Sequence, residues 1–290
     1  MDHDIAIVPP AARPWLLLSV LAAGLAFAAS AVTLASQGPY DDLTPAFLPQ
    51  ALAQDLVNLL LVSPGIAMLA ALALRGSVRA YLVWLGALLF TVYNYVIYTM
   101  AIPFGPLFLV WVAVLGLALF ALLGGAACID RAELSVRYHD ARAPRAAGWA
   151  LIVVALLFGM LWLSEDVPAL LDGTIPRTLA EQGVITNPVH VLDLAFFLPA
   201  VLLVGGLWLR GNVRAGTIAP AFLAFLLLTG LPIMVTPMVQ AVRGETAAWG
   251  VVVPIGIVSI VVLTLLAWLL ASIPGSGATA RAPRHAPTYS

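Results

Sequence analysis

The segment NLLLVSPGIAMLAALALRGSVRA (residues 58–80) recurs 135 positions later as DLAFFLPAVLLVGGLWLRGNVRA (193–215). Nine of 23 positions are identical: Leu59/Leu194, Pro64/Pro199, Leu72/Leu207, Leu74/Leu209, Arg75/Arg210, Gly76/Gly211, Val78/Val213, Arg79/Arg214 and Ala80/Ala215. Leucine matches come easily between apolar helices. A shared RGxVRA turn and an intrahelical proline at one offset do not, and they mark an internal duplication. A looser match joins PQALAQD (49–55) to PRTLAEQ (176–182).

Composition says which solvent this duplicated unit meets. Of 290 residues, 62% are hydrophobic and 9% are charged, with a mean hydropathy of +1.04. A soluble domain carries roughly 25% charged residues, so the apolar surface here must face lipid. A bilayer core about 30 Å thick needs roughly 20 apolar residues in a helix. Eight stretches qualify: about 14–36, 56–74, 80–102, 105–128, 146–164, 191–209, 215–238 and 248–272. The expected fold is therefore all-α, a polytopic membrane protein of eight transmembrane helices.

Arginine placement gives the expected orientation. Arg13, Arg75, Arg79, Arg131, Arg137, Arg142, Arg145, Arg210, Arg214, Arg281 and Arg284 fall on one side of the alternating spans, eleven of thirteen. The other side keeps Arg177 and Arg243 with most of the carboxylates. By the positive-inside rule both termini are cytoplasmic. Ala29, Ser30 and Ala31 imitate a signal-peptide cleavage site, but the apolar stretch is long for one, and the first helix is expected to be retained. An even number of spans per copy sets both copies the same way up. The chain then divides into a first four-helix repeat (1–130), a cytoplasmic linker (131–145), a second repeat (146–272) and a disordered cytoplasmic tail (273–290). The repeats are parallel, related by an axis along the membrane normal.

Counting excludes several chemistries. The chain has no lysine, so a Schiff base or P-loop lysine is out. The single Cys128 excludes an intrachain disulfide or CxxC relay. Four histidines outside or at the edges of the spans leave no buried bis-histidine haem site. A net charge of −1 gives no pull toward nucleic acid. No cofactor or metal ligand set is expected: one histidine with one or two nearby carboxylates falls short of a closed zinc site.

Polar groups at membrane depth need a reason. Thr91, Asn94, Tyr95 and Tyr98 share one face of the third span by their i, i+3, i+4, i+7 spacing, and Tyr93 lies beside them. The second copy carries Leu226, Thr229, Gly230 and Ile233 at the positions matching that stripe. At the opposite ends of the second and sixth spans, Asp55 and Asn58 align with His190 and Asp193, each pair at i, i+3. Asn187 suits an N-cap and Pro188 the first helical position. Pro64 and Pro199 should kink their helices near mid-bilayer.

The leading functional expectation is transport or binding of a lipid-like or small neutral ligand through an outward-facing cleft between the repeats. Its lining candidates are Asn58, Tyr93, Asn94, Tyr95, Tyr98, His190 and Asp193. Amides and aromatics with few charges suit such a ligand better than a strongly ionic one. Membrane lipids are the expected partners, with a membrane-protein partner or a second copy as further candidates. Two other classes stay open: an assembly subunit of a membrane complex, and an intramembrane lipid-modifying enzyme using His190/Asp193, for which no nucleophile is evident. Lysine-free, Ala-, Arg-, Gly- and Pro-rich composition points to a GC-rich bacterial genome and so to a bacterial cytoplasmic membrane.

Overall fold

The computed structural model describes residues 8, 10–36, 38–129 and 142–273. Residues 131–141 of the expected linker and 274–290 of the expected tail lie outside the described residues. No strand occurs among those described, and eight helices are long and apolar enough to cross a membrane. They are α1 (Pro10–Ser36), α2 (Leu48–Leu74), α3 (Val78–Ala101), α4 (Phe108–Ala127), α5 (Arg142–Leu171), α6 (Pro188–Leu209), α7 (Val213–Val242) and α8 (Trp249–Ala271). This is a multi-pass membrane architecture.

Helices outrun their apolar stretches, most of all α2, α5 and α7. α2 begins at Leu48 rather than 56, α5 continues to Leu171 rather than 164, and α7 runs to Val242 rather than 238. Hydropathy marks only the lipid-crossing part of a helix. The added turns carry polar residues such as Gln50, Gln54, Asp55, Glu165 and Asp166, which the backbone keeps helical beyond the hydrocarbon-like run. The connection after α5 contains one further short helix, Arg177–Gln182, ended by Gly183 in the left-handed region at φ +68°.

Each set of four helices closes a ring. α1 packs on α2 and α4 while α3 bridges α2 and α4; likewise α5 packs on α6 and α8 while α7 bridges α6 and α8. The two rings meet mainly through α3 and α7. The first turns of α2 also reach α7, and the first turns of α6 reach α3. α3 sits at the centre and is the most deeply buried of the eight helices, whereas α8 is peripheral and the most exposed.

Glycines set the tight crossings. A Cβ on Gly86 of α3 would lie 2.5 Å from the Ala221 carbonyl oxygen of α7. One on Gly205 of α6 would lie 2.7 Å from the Gly148 carbonyl oxygen of α5, and one on Gly125 of α4 would lie 2.6 Å from the Trp84 ring. Close backbone approach of this kind is how membrane helices gain packing where lipid competes for every apolar contact. A Cβ on the adjacent Gly206 would meet open space.

The prolines act differently from a simple kink. Pro64 follows a π-helical turn at Asn58–Val62, and Pro199 follows one at Asp193–Phe197. The Ser63 N–H bonds the Asn58 carbonyl and the Leu198 N–H bonds the Asp193 carbonyl, so each helix widens by one residue just before its proline ring. Widening relieves the clash of the ring with the preceding turn and re-satisfies backbone groups without breaking the helix. The two turns begin at Asn58 and Asp193, which the offset of 135 aligns.

Candidate functional site

Polar side chains gather near the acidic face, the face that carries loop residues Asp41, Asp42 and Asp172. They form two junctions, one in each ring.

In the first ring the centre is Asp55, 1% exposed. Its Oδ1 accepts from the Ser30 hydroxyl (2.8 Å) and the Tyr98 hydroxyl (2.9 Å). Its Oδ2 accepts from Thr33 (2.6 Å) and Tyr40 (2.6 Å). Four neutral donors from α1, the 38–40 turn and α3 thus fill both oxygens of one α2 carboxylate. Among the described residues no cation pairs with it. Local sequence explains the cradle. Ser30 and Thr33 lie three apart on one face of α1, and the Gly38–Tyr40 turn swings the phenol back over the helix end. Trp111 of α4 braces both tyrosines, stacked on Tyr40 at 6.3 Å and edge-on to Tyr98 at 5.4 Å. Burial, and then the adjacent carboxylate, hold the Tyr40 phenol well above its ordinary pKa, so it acts as a donor.

In the second ring α5 and α6 run antiparallel and form a two-rung ladder. On the outer rung, His190 Nδ1 lies 2.9 Å and 3.1 Å from the two Asp166 carboxylate oxygens. On the next rung, Trp162 Nε1 donates to Asp193 Oδ2 at 2.8 Å. Asp166 and Trp162 are four apart on α5, and His190 and Asp193 three apart on α6, so both rungs use facing sides of the pair. The Trp162 ring also lies 4.5 Å from the His190 ring, joining the rungs. Asn187 caps α6 as expected, accepting from the Val189 and His190 N–H groups at 3.0 and 3.3 Å. The cap fixes the first turn and aims His190 at α5.

His190 and Asp193 share one face of α6, as their spacing implies, and both use it against α5. Each residue bonds to α5, and they communicate through Trp162. The reason is that i, i+3 spacing puts two side chains on one face, where a packed neighbouring helix offers nearer partners than they offer each other.

The seven sequence-derived candidates fall into three places. His190 and Asp193 are in the ladder. Tyr93 joins it from the other ring: its hydroxyl lies beside the Asp193 carboxylate, and its ring meets Phe197 (4.9 Å) and Phe225 (5.4 Å) edge-on. Tyr98 belongs to the Asp55 junction directly and Tyr95 is stacked on it at 5.2 Å, while Asn58 lies one turn beyond Asp55 on α2. The Asn58 side-chain Oδ1 accepts from Gln54 Nε2 at 3.3 Å. Asn94 is buried one turn before Tyr98 on α3. Among the described residues, the Asn58 and Asn94 amide nitrogens and the Tyr95 hydroxyl are buried without a hydrogen-bond partner, although Tyr95 lies beside Ser30. Burying such donors unpaired costs about 1–3 kcal/mol each.

A cavity of about 220 Å³ opens over the ladder. Asp166, His190, Asn187 and Thr178 give it a polar side, and Leu179, Ile185 and Val191 an apolar one. Thr178 also donates to Glu165, tying the short loop helix to α5.

Sequence reasoning missed Asp55 as a site residue, along with Ser30, Thr33, Tyr40, Trp162 and Asp166. One signal was available: a carboxylate opening an apolar helix, with a Ser and Thr three apart in the preceding span.

No family model, curated protein or solved structure matches this chain.

Proposed function

We propose that this protein binds or transports a lipid-like or small neutral ligand that enters from the acidic face of a bacterial cytoplasmic membrane. We further infer that it is built from two parallel four-helix repeats with both termini cytoplasmic. The observation that carries the ligand reading is the cavity floored by His190–Asp166, with polar and apolar walls side by side. Such a lining suits an amphipathic molecule with a hydrogen-bonding head and a short apolar body. From its floor the Asp166–His190–Trp162–Asp193 contacts lead inward to Tyr93, where the two rings meet. Groups at that meeting place sense any shift of one ring against the other, which is the movement parallel-repeat transporters use.

The repeat reading is supported by aligned elements: the π turns, the prolines, and the Gly76 and Gly211 turns at φ +89° and +76°. Reciprocal contacts, α2 on α7 and α6 on α3, are what a two-fold relation produces.

A diazirine-bearing isoprenoid alcohol, photolysed with the purified protein in lipid nanodiscs, tests the ligand reading. Labelling concentrated in residues 176–191, competed by unlabelled alcohol and lost in His190→Ala, is the expected result. Labelling spread over the lipid-facing helices, with no competition, would overturn it.

A further inference from the structure

Asp55 has no part in the cavity, yet its surroundings are built for two charge states. We propose that Asp55 is a proton-binding site, which takes up a proton on Oδ2 and releases it without unpairing any hydrogen-bonding group around it.

Thr33 makes both charge states possible. Its oxygen lies 2.6 Å from Asp55 Oδ2, 3.0 Å from the Ser30 carbonyl oxygen and 3.2 Å from the Ala29 carbonyl oxygen. A threonine hydroxyl has one hydrogen and two lone pairs, so it cannot serve all three acceptors at once. With Asp55 ionised, that hydrogen goes to Oδ2, and four O–H donors fill the carboxylate. With Asp55 neutral, the hydrogen turns back to the α1 carbonyls, and the Thr33 oxygen accepts the new Oδ2–H. The proton comes from hydronium, which leaves as water; one O–H bond breaks and one forms. Ser30 and Tyr98 keep donating to Oδ1, now the carbonyl oxygen, and Tyr40 keeps donating to a lone pair of Oδ2. Rotation of a single hydroxyl thus satisfies both forms.

A structural carboxylate would have a different environment. A buried carboxylate built only to stay ionised is commonly paired with a cation or metal, and none pairs with Asp55 among the described residues. The groups facing it from neighbouring elements are hydroxyls: Ser30 and Thr33 on α1, Tyr40 on its turn, and Tyr95 and Tyr98 on α3. α7, which packs on the first turns of α2, has no titratable residue between 215 and 242, and α4 offers none. The nearest charges in sequence, Asp41 and Asp42, are exposed. One proton therefore changes the net charge of the whole junction. The site does not depend on the proposed ligand, and its test uses none.

Infrared difference spectroscopy on the full chain in nanodiscs, as pH is stepped, reads the carboxyl C=O stretch directly. A carboxylic-acid band that grows reversibly as pH falls, and is absent in Asp55→Asn, is expected. Tyr98→Phe deletes a donor that the anion needs more than the neutral acid, so it should move the band's midpoint up by about one pH unit, tenfold in proton affinity. Thr33→Ser, which keeps the hydroxyl, should leave the midpoint in place. If Asp55→Asn does not fold, the Tyr98→Phe shift decides. A Tyr98→Phe midpoint identical to the parent, no Asp55-dependent band over the folded pH range, or a change driven by sodium at fixed pH would each overturn the proposal.

Discussion

Gly86 of α3 rests against the Ala221 carbonyl of α7, and the two residues are 135 positions apart, the offset that aligns the repeated segments. When two copies are related by a two-fold axis, equivalent residues touch each other only where the axis passes between them. The contact is therefore where the proposed repeats would pivot. Phe90 aligns with Phe225, and Phe225 stacks on Phe197 at 4.8 Å just above this point, giving the upper part of the interface an aromatic fill.

Gly86→Ala should destabilise the protein although it adds a single methyl group. The new carbon would sit 2.5 Å from both the Ala221 carbonyl oxygen and the Ala224 Cβ, and a backbone carbonyl cannot turn aside. Overpacking of this kind costs about 1–3 kcal/mol. Thermal unfolding in detergent should show a lower Tm for Gly86→Ala, and no comparable change for Gly116→Ala, where a Cβ meets open space.

The ladder between α5 and α6 should show energetic coupling between Trp162 and Asp193. Trp162→Phe keeps a ring against His190 but removes the Nε1–H, leaving Asp193 short of a donor at about 1.5–3 kcal/mol for a bond to a charged group. Asp193→Asn in the Trp162→Phe background should then cost less than in the parent. A double-mutant cycle on unfolding free energy checks this, with a coupling of about 0.5–3 kcal/mol expected. Zero coupling would mean that the 2.8 Å contact contributes nothing.

The spans and the arginine pattern were legible because lipid acts on each segment locally: twenty apolar residues in a row need no partner to be recognised. The Asp55 cradle was not. Its donors come from positions 15 to 43 residues away in three separate elements, and only packing brings them together. His190 and Asp193 were visible as candidates because they sit close in sequence, but their partners Asp166 and Trp162 lie 24 and 31 residues away on α5. The π turns were half legible. Pro64 and Pro199 announced a disturbance at the right level, but a proline alone does not say whether a helix bends or widens.

Gly124 should tolerate no side chain while Trp15 is present. A Cβ there would lie 2.2 Å from the indole, inside the ring's van der Waals surface. Gly124→Ala should lower the Tm, through a cost of about 1–3 kcal/mol. Trp15→Ala removes the obstacle, so the Trp15→Ala/Gly124→Ala pair should be less destabilised than the sum of its single changes. Non-additivity of this sign is the signature of a direct clash.

Tyr40 gives the alkaline limit of stability a definite sign. Burial and the Asp55 carboxylate hold its phenol above the ordinary tyrosine value of about 10. Below that value both folded and unfolded chains keep the proton, and the contribution is fully present. Above it the unfolded chain loses a proton that the folded chain retains, so unfolding becomes easier as pH rises. Tyr40→Phe should therefore flatten the fall in stability on the alkaline side. It should also lower stability at neutral pH, because Asp55 loses one of its four donors. Tyrosinate absorbance of the folded protein provides the independent reading: its amplitude near pH 10 should be the same with Tyr40 or Phe at this position, since the phenol inside the junction does not ionise there. A Tyr40-dependent loss of that amplitude would mean the hydroxyl is open to solvent and is not bonded to Asp55.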